Sequence, residues 1–143
     1  MSEVIVMKGR RVCLGLSEGI ALVSKERLGF NFGVDPNSGV IVERGHELEG
    51  QSIKDVILVF PAGKGSTGGS FMIYQLSRQG TGPKAMINIR TDTIVAVGAV
   101  LGRIPVVDRL DRNPIDVIKS GDHVEVDATH GIVTVWKTAK TKT

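Results

Sequence analysis

A single cysteine, Cys13, stands in 143 residues. One thiol closes no internal disulfide and supplies no protein-only metal cluster, so no metal site is expected in this chain. Aromatic side chains are scarce as well: one Trp, one Tyr and four Phe, most of them inside apolar runs. Nucleic-acid binding needs a basic stripe interleaved with stacking rings. A formal net charge of +3 with so few rings does not provide one, and no nucleic-acid partner is expected. No run approaches ~20 apolar residues, and no signal-peptide pattern opens the chain. No membrane partner is expected, and a reducing, cytoplasmic setting is the default reading.

What is present is a glycine-rich globular composition, with 18 Gly, 41% hydrophobic and 23% charged residues. That many turns favours a mixed α/β fold over a helix bundle, at the length of one ordinary domain. Val4–Met7 is a short apolar run. Val12–Leu14 and Gly19–Val23 read as strands joined in a hairpin by Gly15–Glu18. Residues 29–39 carry loop and turn chemistry, and Val40–Val42 reads as a further short strand. Val56–Phe60 is apolar throughout, the pattern of a strand buried on both faces. A helix from Ser70, a strand at Ala85–Ile89, a helix over Thr93–Leu101 capped at Thr91-Asp92 and a strand at Ile104–Val107 complete a parallel βαβαβ layer. A short helix over Asn113–Lys119 follows, ending at Ser120-Gly121. Alternating His123–Asp127 and Gly131–Trp136 then close the chain as an antiparallel hairpin with one wet face. Residues from about 137 onward, basic and polar, read as a disordered tail. Cys13 reads as a core thiol, and His46, His123 and His130 as surface or hairpin residues.

The chemistry concentrates between Phe60 and Ser70: Phe-Pro-Ala-Gly-Lys-Gly-Ser-Thr-Gly-Gly-Ser. Strand, glycine loop and helix start make backbone N–H groups converge on an anion. Ser66, Thr67 and Lys64 sit at the centre, and Ser70 is placed to cap the helix. Gly63–Gly68 matches the dinucleotide fingerprint in form, but no acidic residue ends the next strand and the chain has no room for a dinucleotide sheet plus a substrate domain. The phosphate-cradling Walker loop needs a glycine where Leu58 stands. The nucleophile elbow needs one where Lys64 stands. The plain alternative is a tight βα turn, which does not by itself call for Lys, Ser and Thr together.

That loop resembles the signature of the small, swivelling subunit of aconitase X-type dehydratases. Gly19–Ser24, Pro83–Asn88, Thr93–Ala99 and Gly121–Asp127 agree with the same family, so the resemblance spans most of the chain. Gly68 departs from the family pattern, which carries a bulkier residue after the Ser-Thr pair. The resemblance implies a single swivelling β/β/α-type domain over residues 1–143, with the βαβαβ layer flanked by hairpins. It implies one half of a two-chain hydro-lyase, in which a large subunit holds an iron–sulfur cluster and the small one supplies a serine base.

On this reading Ser66 is the general base, and Gly63, Lys64, Gly65 and Thr67 bind a small anionic substrate. Family substrates are mevalonate 5-phosphate and cis-3-hydroxy-L-proline, and the Lys-Gly-Ser-Thr form leans to the first. The residues suit the chemistry. Elimination of water needs a base at the acidic carbon and a Lewis acid at the departing hydroxyl. A serine oxygen acts as base where backbone N–H groups and a cation stabilise its negative charge. A phosphohistidine swivel domain is a fold analogy only, since Thr93-Ile94-Val95 offers no histidine at the helix start. A non-catalytic interaction subunit is the remaining alternative class.

Overall fold

A computed structural model describes residues 3–138. In chain order they form β1 (Val4–Lys8), β2 (Arg10–Cys13), β3 (Leu16–Val23), β4 (Ile57–Phe60), α1 (Gly68–Gln79), β5 (Ala85–Asn88), α2 (Thr93–Gly102), β6 (Val106–Asp108), α3 (Pro114–Val117), β7 (His123–Asp127) and β8 (Ile132–Trp136). The strands run β1-β8-β7-β3-β4-β5-β6-β2 in one mixed sheet. Its two ends are consecutive in sequence, separated by Gly9 alone, so the sheet curls until its edges meet there. β4, β5 and β6 are parallel neighbours connected through α1 and α2, the βαβαβ layer that the apolar runs predict.

β4 shows why that layer forms. All four of its side chains are buried. Leu58 and Phe60 enter a core shared with Ile73 and Leu76 of α1 and Val95 and Ala99 of α2. Ile57 and Val59 face the opposite way, against Val124, Val126, Val133 and Val135 of the β7–β8 hairpin and Ile115 and Ile118. Each such side chain, fully buried, contributes about 1.5–3 kcal/mol. The result is helices on one face, sheet between, and hairpin on the other.

Four expectations are corrected, two by strand pairing and two by burial and side-chain hydrogen bonds. The hairpin predicted around Gly15–Glu18 does not form. β2 pairs with β6 and β3 pairs with β7, both antiparallel. Within β3, Leu16–Ile20 serve β7 while Ala21–Val23 switch to parallel pairing with β4. Gly15 turns the chain at φ +142°, where a Cβ would stand 2.7 Å from the Pro105 ring. Val40–Val42 makes only isolated bridges, Val34 with Ile41 and Val40 with Ser52.

His46 is buried rather than on the surface. Its Nε2 donates to the Arg27 carbonyl at 2.9 Å and its Nδ1 accepts from Leu48 N at 3.0 Å, which pins the irregular excursion after β3. Lys137 and Thr138, read as the start of a solvated tail, are held instead: Lys137 Nζ reaches Asp122 at 2.5 Å and the Val117 carbonyl at 2.6 Å. The rest of the predicted tail lies outside the described residues. No described helix is long and apolar enough to cross a membrane.

Candidate active loop

The loop from Pro61 to Thr67 leaves the carboxyl end of β4 and enters α1, the position where parallel α/β layers present ligand sites. It is stitched on both sides. Asp92 caps α2 by accepting from Val95 N at 3.4 Å, and its other oxygen accepts from Gly63 N at 2.7 Å. Position 63 has to be glycine: a Cβ there would lie 2.7 Å from Val95 Cγ2. On the opposite side Leu28 N donates to the Ala62 carbonyl and Lys64 N to the Leu28 carbonyl, both at 3.2 Å.

The turn then opens. Gly65 adopts φ +99° with nothing near the place of a side chain, and Ser66 is exposed. Among the described residues, the backbone N–H groups of Gly65, Ser66, Thr67 and Gly68 donate to no protein acceptor. Backbone donors without a protein acceptor, on the same turn as an exposed hydroxyl, suit a site for negative charge. Thr67 stands at the N-cap position without a side-chain cap bond. Ser70, read from sequence as the cap, lies two residues inside α1, and its hydroxyl donates to the Ile94 carbonyl at 2.7 Å. It ties α1 to α2.

Lys64 is half-exposed and forms an ion pair with Glu43 at 2.6 Å. Burial pushes the Glu43 carboxyl up, but the hydrogen bond and charge of Lys64 and a backbone bond from Gly29 outweigh it, and its pKa is lowered. The structure thus brings Gly63, Lys64, Gly65, Ser66 and Thr67 onto one turn and adds three neighbours that sequence reasoning missed. Asp92 was legible only as a helix cap. Glu43 and Asn31 belong to the irregular excursion and carry no motif. Asn31 Nδ2 donates to Ser66 Oγ at 2.5 Å.

Two concavities flank the loop. One, of about 280 Å³, lies over Pro61–Gly63 and Ile89–Asp92 and is rimmed by Arg27 and Arg90. The other, of similar volume, is an apolar groove along α1 and α2 containing Thr67, Ser70, Phe71, Ile94, Val97 and Leu101, with Phe71 73% exposed. The remaining candidates lie apart from this chemistry. Cys13 Sγ contacts the Ala99 carbonyl at 3.6 Å, and burial pushes its thiol up, away from nucleophile behaviour. His123 and His130 pair with Glu18 and Asp127 on the exposed hairpin.

Comparison with known proteins places the chain in a family. The family model described as the aconitase X swivel domain matches residues 6–135. The phosphomevalonate dehydratase small subunit of Methanocella arvoryzae is 54% identical over 127 residues, covering 89% of this chain and 96% of that protein. The protein of the same name from Thermococcus sibiricus is 48% identical, covering 90% and 97%. A crystal structure of Thermococcus kodakaraensis aconitase X in its holo-form superposes with TM-score 0.87 at 44% identity, covering 92% of this chain and 98% of that one. The solution NMR structure of a UPF0107 protein gives TM-score 0.81 at 42% identity, covering 90% and 97%. With a family model spanning nearly its whole length and relatives this similar, the chain belongs to the aconitase X swivel domain family.

Proposed function

We propose that this chain is the small subunit of a two-chain phosphomevalonate dehydratase, in which Ser66 is the general base that starts removal of water from mevalonate 5-phosphate. The observation that carries the reading is Ser66 itself, exposed on a glycine turn whose backbone N–H groups from Gly65 to Gly68 have no acceptor among the described residues. The relatives named phosphomevalonate dehydratase small subunit support mevalonate 5-phosphate as the substrate.

In this reading Ser66 Oγ, held as an alkoxide by those donors, takes the proton from the carbon beside the substrate carboxylate. The electron pair left behind becomes the carbon–carbon double bond as hydroxide departs from the next carbon. Gly65 and Thr67 line the approach, Gly63 holds the turn on Asp92, and Lys64 contributes positive charge toward the anionic substrate. An iron–sulfur cluster would supply Lewis acidity for the departing hydroxide. This chain's residues do not fit such a group: it has one cysteine, and no three His, Cys, Asp or Glu side chains come together among the described residues. The cluster is assigned to the large partner, and the apolar groove beside Thr67 and Phe71 gives that partner a dry surface next to the base.

The test is steady-state dehydration of mevalonate 5-phosphate by the complex of this chain with its large partner. Ser66→Ala is expected to leave assembly intact by size-exclusion chromatography and to lower kcat by ~10²–10⁴-fold. Near-full activity in Ser66→Ala overturns the assignment of the base. Turnover by this chain alone after anaerobic iron–sulfur reconstitution overturns the two-chain reading. Faster dehydration of cis-3-hydroxy-L-proline by the wild-type complex replaces the substrate.

A further inference from the structure

Among the described residues Ser66 has one side-chain partner, and it comes from another part of the chain. Asn31 lies 35 positions earlier and donates from Nδ2 to Ser66 Oγ at 2.5 Å. A serine that accepts from an amide must direct its own proton elsewhere, which here means toward the open side of the turn. When that proton is gone the same N–H points at a negatively charged oxygen, and a donor to the charged form favours it.

The contact rests on a rigid base. Phe30, next to Asn31, is buried edge-on against Phe60 at a centroid distance of 5.9 Å, and Phe60 ends the strand that launches the glycine loop. Leu28 bridges to Gly63 in parallel register. Gly33 folds back so closely that a Cβ would lie 1.8 Å from the Gly29 carbonyl oxygen, which admits no other residue in this backbone. Space for the Asn31 amide comes from Gly68, where a Cβ would stand 2.8–3.0 Å from its three terminal atoms. Asn31 is therefore wedged over the start of α1 by residues that also fix β4. Its amide is aimed at one oxygen.

We propose that Asn31 is a positioning residue for Ser66: it orients Oγ and, as a hydrogen-bond donor, lowers the cost of holding that oxygen deprotonated. The proposal rests on Ser66 being the base. It predicts an effect that a merely structural side chain would not have, a change in the pH at which the base becomes active.

The experiment uses the complex with the large partner and measures kcat, KM and the pH profile of kcat for wild type, Asn31→Leu, Asn31→Asp and Ser66→Ala. Asn31→Leu keeps the size and removes the donor. It is expected to lower kcat ~10–10²-fold with KM within about twofold, and to move the rising limb of the profile to higher pH, so that activity recovers as pH increases. Asn31→Asp replaces the donor by a charge that repels the alkoxide, and its limb is expected to move further the same way. The double variant Asn31→Leu/Ser66→Ala is expected to be no slower than Ser66→Ala. If Asn31→Leu does not assemble, Asn31→Ala, which adds no bulk, carries the same expectation. A loss of kcat with an unmoved limb, or an unchanged kcat beside a dead Ser66→Ala, overturns the role of Asn31 alone. An active Ser66→Ala overturns the base, and the Asn31 proposal with it.

Discussion

Lys64 shows what a single residue's surroundings add to its place in a motif. Read in sequence it is the cation of an anion-facing loop. In the fold its ammonium is shared with Glu43 at 2.6 Å, and both side chains keep contact with solvent. Two roles then compete for one charge. If Lys64 reaches the substrate anion, Lys64→Ala removes a charge-assisted contact and is expected to raise KM by ~5–150-fold, the equivalent of about 1–3 kcal/mol. Glu43→Gln is expected to lower KM, because it frees the ammonium. Substrate saturation curves for the two variants of the complex decide the matter, and KM unchanged in both makes the pair a loop staple. The glycine turn and Ser66 were legible because composition and order along one stretch specify them. Asn31 and Glu43 were not, because a polar residue in an irregular segment has no periodicity to betray its partner. His46 was misread for a related reason: two backbone hydrogen bonds 2.9–3.0 Å long make its burial affordable, and neither is visible in sequence.

Between elements, the contact of α1 with α2 decides how the loop is presented, since each helix begins at the site. Gly98 lets them approach: a Cβ there would stand 2.7 Å from Ile73 Cβ and 3.0 Å from the Ser70 carbonyl. Helix propensity favours alanine over glycine by about 1 kcal/mol, whereas overpacking a tight contact costs about 1–3 kcal/mol. Overpacking wins because one of the blocking atoms is backbone. Gly98→Ala is therefore expected to lower the urea midpoint of the isolated chain; a raised midpoint would mean that the helices separate freely. Ser70→Ala, which loses the bond to the Ile94 carbonyl, is expected to cost about 1 kcal/mol in the same assay, as a lost tie between helices. The parallel strands and the closing hairpin were legible from apolar runs and alternation. The strand pairing of β2 and β3 was not. Turn residues suggest that sequence neighbours pair, but β3 finds its partners beyond residue 56 and at 123–127, where only the curled sheet brings them.

Across the whole molecule, two buried carboxylates hold the periphery to the core. Asp108, with no exposed side-chain surface, takes two hydrogen bonds from the half-exposed Arg10 at 2.7 and 2.9 Å and one from Thr91 N. Asp122 receives Lys137 Nζ, Lys119 N and Thr138 N, joining the end of β8 to the turn before β7. In each, burial pushes the carboxyl up, and the hydrogen bonds and cationic partner outweigh it, leaving the folded pKa below the ordinary value. The unfolded chain therefore binds protons first on acidification. The stabilisation is present above about pH 4 and is lost as pH falls through the folded values. Asp122→Asn removes the proton-linked part while leaving a side chain of the same shape. It is expected to reduce stability near neutral pH by about 1–3 kcal/mol, and to flatten the decline of the urea midpoint between about pH 5 and pH 2. Wild type and variant should converge at the acid end, where Asp122 is protonated in both states and its charge no longer matters. Parallel curves across that window would show that Asp122 holds Lys137 and Thr138 by shape alone, and that acid sensitivity resides in the other carboxylates held below their ordinary range, Asp108 and Glu43 among them.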